Sequence, residues 1–146
     1  DTLIVALLKK GNASNVIYEL QQEDNGLTGD GFTISVKQFK ISENKKISFD
    51  TSGAVAYLDA DKIIFPLRLR KWQRGDYFCP FGMNLKRKKL SDYFVDEKIS
   101  ISGKQHIWLL LSGEEICWVA GKRSDERYKV TAQTKEVLKL TYTESR

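Results

Sequence analysis

Apolar and polar residues alternate in short runs along much of the chain. In FTISVKQF (32–39), Phe32, Ile34 and Val36 are interleaved with Thr33, Ser35 and Lys37, a period of two that predicts a strand with one buried face. LIVALL (3–8), VIYEL (16–20), ISFD (47–50), VAYLD (55–59) and KIIFPLRLRKW (62–72) read as further strands. NGLTGDG (25–31) and SENKK (42–46) carry the Gly, Asn and Asp that turns need and read as connections. Within 62–72, Phe65, Leu67 and Leu69 fall on one face, and Arg68 and Arg70 on the other. Pro66 cannot donate to a ladder, so this strand either lies at a sheet edge or begins there.

The period changes at KKLSDYFVDEKI (88–99), where Leu90, Tyr93 and Phe94 recur at helical spacing. A short amphipathic helix is expected, with lysines at its N-terminal end. IWLLL (107–111) and ICWVAG (116–121), joined by SGEE, predict a hairpin. Thr131 is placed to cap a short helical turn over AQTKEV (132–137), before a last strand, VLKLTY (137–142). With no repeat, low-complexity tract or linker to divide it, residues 1–146 read as one compact unit. The expected class is α+β and β-rich, with sandwich-like antiparallel or mixed sheets and a few short flanking helices.

Composition agrees with a folded globule: 146 residues, 41% hydrophobic and 11% aromatic. The longest apolar runs fall far short of the roughly 20 residues that span a bilayer, so no membrane is implied. No basic segment followed by an apolar run opens the chain, and it begins at Asp1, as a fragment or processed product would. Cys79 and Cys117 are too few for a disulfide framework and are not a CxxC pair, which points to a reducing cytoplasm. His106 is the only histidine, so the cysteines read as ordinary packing residues and no metal site is expected.

Charge changes the picture most. From Arg68 to Lys89 stand eight cations, Arg68, Arg70, Lys71, Arg74, Lys86, Arg87, Lys88 and Lys89, against one acid, Asp76. The rest of the chain holds 16 of the 24 Lys/Arg and 18 of the 19 Asp/Glu, so the positive charge is local. The cations surround two turns, Gly75-Asp76 and Pro80-Phe81-Gly82-Met83. Gly75 supplies a permissive backbone angle and Asp76 is expected to bond nearby backbone N–H groups, fixing the flanking arginines. The RGD at 74–76 is too short a match to carry an adhesion reading.

Catalytic chemistry finds no footing. Neither GxxxxGK[ST] nor GxGxxG occurs. Ser112 has no GxSxG elbow, and adjacent Glu114 and Glu115 would face opposite ways on a strand. Asp92 and Asp96 share a helix face, but Lys88 nearby makes surface ion pairing the plainer account. For the basic stretch three readings stand: nucleic acid, an acidic protein partner, and a solvated face, with nucleic acid favoured. Duplex RNA is recognised by shape through phosphate and 2′-hydroxyl contacts, which needs cations held at fixed positions. Arg70 and Arg74 would position phosphates bidentately while Lys86 to Lys89 act as point charges. Trp72, Tyr77, Phe78 and Phe81 are candidates to stack on exposed bases.

FPLRLRKWQRGDYFCPFGMNLKRKKLSDYFVDEKI (65–99), followed by WLLLSGEEICWVAGKRSDERYKVT (108–131), closely resembles the C-terminal domain of bacterial tRNA(Ile)-lysidine synthetase. The matching features are Arg70, Gly75-Asp76, Pro80 to Met83, Lys88 to Asp92, Asp96, Lys98 and Trp118 to Tyr128, spread from about Val55 to Tyr142. The chain departs from the family pattern at Arg74, where proline is usual, and at Tyr77 and Cys79, where arginines are. The resemblance implies a β-sandwich with outer helices and a non-catalytic module that grips the acceptor stem of an isoleucine tRNA with a CAU anticodon. The parent ligase would use ATP and Mg in an N-terminal catalytic domain absent from this chain, which itself would need no cofactor. That domain is implied as a partner; the alternative reading is a module whose basic face docks on that domain or on a second copy of the protein. The tRNA contacts implied are Arg70, Lys71, Arg74, Lys86, Arg87, Lys88, Lys89 and Lys98, with Arg123 and Arg127 next. For Arg123 and Arg127, ion pairs with Asp125 or Glu126 are an equal reading. Gly75, Asp76, Pro80 and Gly82 would be structural turn residues.

Overall fold

The computed structural model describes residues 16–41, 48–50 and 52–144. Among them, β5 (Leu67–Lys71), β8 (Trp108–Ser112) and β9 (Glu115–Val119) form the middle of a five-stranded sheet, flanked by β1 (Tyr18–Leu20) and β10 (Arg123–Ser124). A second, four-stranded sheet runs in the order β2 (Gly26–Gly29), β3 (Phe32–Lys40), β11 (Glu136–Glu144), β4 (Val55–Asp59). Every pairing is antiparallel.

The two sheets meet through one apolar layer. Tyr18, Leu20, Leu67, Leu69, Trp108, Leu110, Cys117 and Trp118 come from the first sheet, and Leu27, Phe32, Ile34, Val36, Leu58, Leu138 and Leu140 from the second. The alternation in 32–39 produces this: Phe32, Ile34 and Val36 are buried while Ser35 and Lys37 face solvent. Burying each such side chain contributes about 1.5–3 kcal/mol before entropy is counted.

The first sheet has a second buried face, which explains why WLLLS (108–112) is apolar without alternation and buried throughout. Leu109, Leu111, Ile116 and Val119 point away from the sandwich and pack on Leu90, Tyr93 and Phe94 of α1 (Leu90–Asp96), together with Phe78. Phe94 meets Trp72 edge to face with ring centroids 5.1 Å apart. The molecule is thus three layers, sheet on sheet with a helix outside.

The predicted hairpin over 107–121 is present, with Leu109 opposite Val119 and Ser112 opposite Glu115. Ser112 Oγ is buried and accepts from the Ile64 amide at 2.8 Å, a structural role. Pro66 precedes the first residue of β5, which is paired on both sides by β1 and β8, so the strand begins there and is not an edge.

Four expectations are corrected. NGLTGDG is not only a connection: Gly26–Gly29 forms β2, because Asp30-Gly31 makes a two-residue hairpin turn with Gly31 at φ +86°. The helix expected over 88–99 spans only Leu90–Asp96. Lys88–Lys89 forms a two-stranded ladder, β7, with β6 (Tyr77–Phe78), and Lys98 adopts φ +56° just past the helix end. The segment 100–106, for which the sequence pattern set no expectation, holds α2 (Ile101–Lys104), whose start is capped by Ser100 Oγ accepting from Gly103 N at 3.0 Å. Thr131 caps a hydrogen-bonded turn, accepting from Gln133 N at 3.2 Å, without helix following. Of ISFD, residues 48–50 are not strand; LIVALL, SENKK and residue 47 lie outside the described residues.

Candidate nucleic-acid interface

The basic stretch leaves the five-stranded sheet at the end of β5 and reverses twice before entering α1. The first reversal is the Gln73–Asp76 turn. Gly75 sits at φ +95°, a conformation that favours glycine. The Asp76 carboxylate accepts from the Gln73 amide at 2.6 Å and takes the Arg70 guanidinium in a fork, at 2.9 and 3.0 Å. Arg70 also donates to the Lys71 carbonyl at 3.0 Å. The Arg70 and Asp76 side chains are only 21% and 13% exposed, so both hold the turn, and Arg74 at its tip is left projecting into solvent. An inward Asp76 also disposes of the RGD reading.

The second reversal, Pro80 to Arg87, is held from below by Asp125 and Glu126. Pro80 bridges to Asp125 and the Phe81 amide donates to the Ser124 carbonyl at 3.0 Å. Asp125, fully buried, accepts from the Cys79 amide at 2.8 Å, and from the Arg127 amide, Nε and Nη2 at 2.8, 2.9 and 2.9 Å. Glu126 accepts from the Gly82 amide at 2.9 Å and from Lys129. Its carboxyl is held below the ordinary glutamate value by the Lys129 ammonium first and the Gly82 N–H next. Gly82, Asn84 and Leu85 have φ of +91°, +53° and +65°. Two non-glycine residues in that region are a local strain which the clamp underneath offsets.

Between the reversals lies an open groove of about 870 Å³, lined by Tyr77, Met83, Lys86, Arg87, Lys88 and Lys89 on one side and by Asp92, Val95 and Asp96 of α1 on the other. Four cations thus face two carboxylates, and one pair, Lys88 with Asp96, is joined directly. Lys86, Arg87 and Lys89 are exposed. The Arg87 guanidinium lies 3.8 Å from the centroid of the Tyr77 ring, a cation–π contact that aligns the guanidinium plane beside the groove. A smaller cleft of about 100 Å³ adjoins through Gly75 and Tyr77 and contains Arg70 and Arg127.

The expected contacts therefore separate into three groups. Lys86, Arg87, Lys88 and Lys89 line the groove, and Arg74 stands exposed next to Gly75 of its lining. Arg70 and Arg127 lie beside it with their charges engaged, Arg127 by Asp125 and by Glu115 at 2.9 Å. Lys71, Lys98 and Arg123 lie outside the groove lining. Lys71 sits over the Trp108 ring at 4.7 Å and bonds the Gln105 carbonyl, with its pKa lowered by burial. Lys98 is exposed beyond α1, and Arg123 is half-buried on β10.

Of the aromatics, Phe78 is buried and Trp72 packs on Phe94, while Tyr77 and Phe81 remain exposed. Sequence reasoning did not find the clamp, since Asp125 and Glu126 enter it only as partners for arginine. The signal available was two acids in SDERYK flanked by basic residues. Burial pushes the Cys79 and Cys117 thiols up, so both stay protonated, and no group of three or more His, Cys, Asp or Glu among the described residues could hold a metal. No helix among those residues is long and apolar enough to cross a membrane.

A family model described as "TilS substrate C-terminal domain" matches residues 67–140. The chain is 50% identical over 104 residues to the tRNA(Ile)-lysidine synthase of Parabacteroides distasonis, covering 71% of this chain and 22% of that protein. It is 38% identical over 136 residues to the enzyme of the same name from Bacteroides thetaiotaomicron, covering 93% of this chain and 28% of that one. The chain thus spans about a quarter of the length of these curated relatives. A solved structure described as the crystal structure of a TilS C-terminal domain superposes with a TM-score of 0.64 over 80% of this chain and 86% of its own, at 20% identity. That likeness shows the fold, a strand-rich antiparallel architecture with few short helices.

Proposed function

Because the chain belongs to the TilS substrate C-terminal domain family, we propose that it is the RNA-gripping module of a cytoplasmic tRNA(Ile)-lysidine synthase. In this reading the rest of the protein is an N-terminal domain that uses ATP and Mg to join lysine to the wobble cytidine of tRNA(Ile) with a CAU anticodon. The module contributes no catalytic group. It seats the acceptor stem, whose phosphates enter the groove between the two reversals and α1.

The observation that carries the reading is the arrangement of Lys86, Arg87 and Lys89 along one groove, with Arg74 exposed beside its Gly75 end, on turns fixed by Asp76, Asp125 and Glu126. Fixed cations suit an A-form duplex, whose backbone geometry is what a protein can read. A solvated charge run needs no such scaffold. Arg70 acts through Asp76, as a positioning residue.

The test is binding of this chain to unmodified tRNA(Ile) with a CAU anticodon, beside tRNA(Met), across a salt series. Each phosphate neutralised contributes about −0.7 to −0.9 to the slope of log K against log salt. Arg74→Ala, Lys86→Ala and Lys89→Ala are each expected to make the slope shallower by about one. An affinity insensitive to salt would sink the proposal. A folded chain that binds neither tRNA would assign the basic face to docking on the catalytic domain or on a second copy.

A further inference from the structure

A second cleft, outside the groove, lies between the Pro80–Met83 turn and the edge of the sandwich. Its volume is about 330 Å³, within the range of small-ligand sites. Phe49, Tyr57 and Phe81 supply aromatic walls, and Lys122, Arg123 and Lys129 form the cationic side. Phe49 and Phe81 are 47% and 51% exposed, unusual for rings on turns otherwise pinned to the protein. Among the described residues neither Lys122 nor Arg123 has a carboxylate partner, while Lys129 is bonded to Glu126. Asp50, also in the lining, accepts from the Ser52 amide at 2.7 Å.

The cleft is built rather than incidental. Gly53, at φ +78°, lets its loop touch the loop after β9: a Cβ there would lie 2.7 Å from the Lys122 carbonyl oxygen. Gly121, at φ +76°, sits against the Tyr142 ring, where a Cβ would lie 2.7 Å from the ring. On the far wall the Phe81 amide is tied to the Ser124 carbonyl. Phe49 is set edge-on to Tyr57, centroids 4.8 Å apart, and the Asp50 amide donates to Tyr57 Oη at 2.9 Å.

We propose that this cleft receives an unpaired nucleotide from the single-stranded end adjoining the duplex held in the groove, the base against Phe81 and Phe49 and the phosphate against Lys122 and Arg123. The inference rests on the RNA-binding reading above and extends it. Its chemistry is that of single-strand sites, in which aromatic faces accept any base and cations follow the backbone. Phe81 belongs to the same turn that carries Met83 and Lys86 into the groove, so one backbone segment lines both sites. A peptide occupant would have to bring acidic groups to Lys122 and Arg123, and the groove next door gives no reason to expect one.

The experiment compares two RNA hairpins of identical stem, one blunt and one with a short single-stranded 3′ tail carrying a fluorescent purine, bound to this chain. The tail is expected to tighten binding about tenfold and to quench the purine. Phe81→Ala and, separately, Lys122→Glu should abolish the increment and leave blunt-hairpin affinity unchanged; both side chains are exposed, so folding is not at stake. If the blunt hairpin binds and the tail adds nothing, or the increment survives both substitutions, the cleft proposal is overturned and the groove reading stands. If neither hairpin binds, both readings fall together.

Discussion

Arg70 and Arg74 show how two cations four residues apart in one basic run can have different work. Arg70 is forked onto Asp76 with little exposure, whereas Arg74 projects from the tip of the turn. Removing Arg70 would leave Asp76 charged, largely shielded from water and bonded only to a backbone amide. The expected cost of Arg70→Ala is about 2 kcal/mol, below the value for a fully buried broken pair because both partners still touch solvent. Arg70→Lys should recover little, since an ammonium cannot reproduce a two-bond fork. Arg74→Ala should leave the melting temperature unchanged and weaken RNA binding. Thermal melts of the three variants beside RNA titrations check this; an Arg74→Ala melt lowered as far as that of Arg70→Ala would refute the division. Tyr77 belongs at this scale too, since Tyr77→Ala would free the Arg87 guanidinium to swing, reducing RNA affinity more than the exposed area of the ring explains.

The turn from Pro80 to Arg87 is an element whose shape is set by another element, the Asp125–Lys129 segment beneath it. Glu126 is depressed in the folded state, so ionised Glu126 stabilises the fold at pH values above its unfolded pKa. That contribution is lost as pH falls through the lower folded pKa. The Gly82 amide should therefore stay protected from hydrogen exchange below the ordinary glutamate range and open at more acid pH. Glu126→Gln keeps an acceptor for Gly82 but loses the charge facing Lys129, and should remove the pH step. An opening of Gly82 that follows the ordinary glutamate value, or that persists in the variant, would contradict the clamp. The strands of this region were legible where period and face agreed, as in Leu67 and Leu69 against Arg68 and Arg70. Lys88 and Lys89 were not, because KKLSD reads equally well as a helix start, and only pairing with Tyr77 and Phe78 turns the two lysines into a strand. The Asp76 turn was legible from Gly-Asp, whereas the Asp125 and Glu126 clamp spans 46 and 44 residues of sequence to Cys79 and Gly82. No local pattern encodes such a contact.

At the scale of the whole molecule the groove cations sit on turns outside the two packed sheets. The chain carries a formal net charge of +5, and the four-stranded sheet has exposed cations of its own, Lys40 opposite Glu136 and Lys37 opposite Lys139. The proposed RNA affinity then has two separable explanations. If attraction follows net charge, any three exposed cations are equivalent; if it follows geometry, those at the groove dominate. Lys86→Ala/Arg87→Ala/Lys89→Ala removes as much positive charge as Lys37→Ala/Lys40→Ala/Lys135→Ala, and all six side chains are exposed. Neither set should move stability by more than about 0.5 kcal/mol per substitution. The groove set is expected to lower affinity for duplex RNA by at least tenfold at moderate salt and to make the salt slope shallower by two to three, about one for each phosphate contact removed. The control set should change the slope by less than one, because its charges lie outside the groove lining and would act on an RNA backbone seated there only through screened solvent. Equal losses from the two sets would mean that the fold serves merely to carry charge, and that Asp76, Asp125 and Glu126 hold their turns for some other purpose.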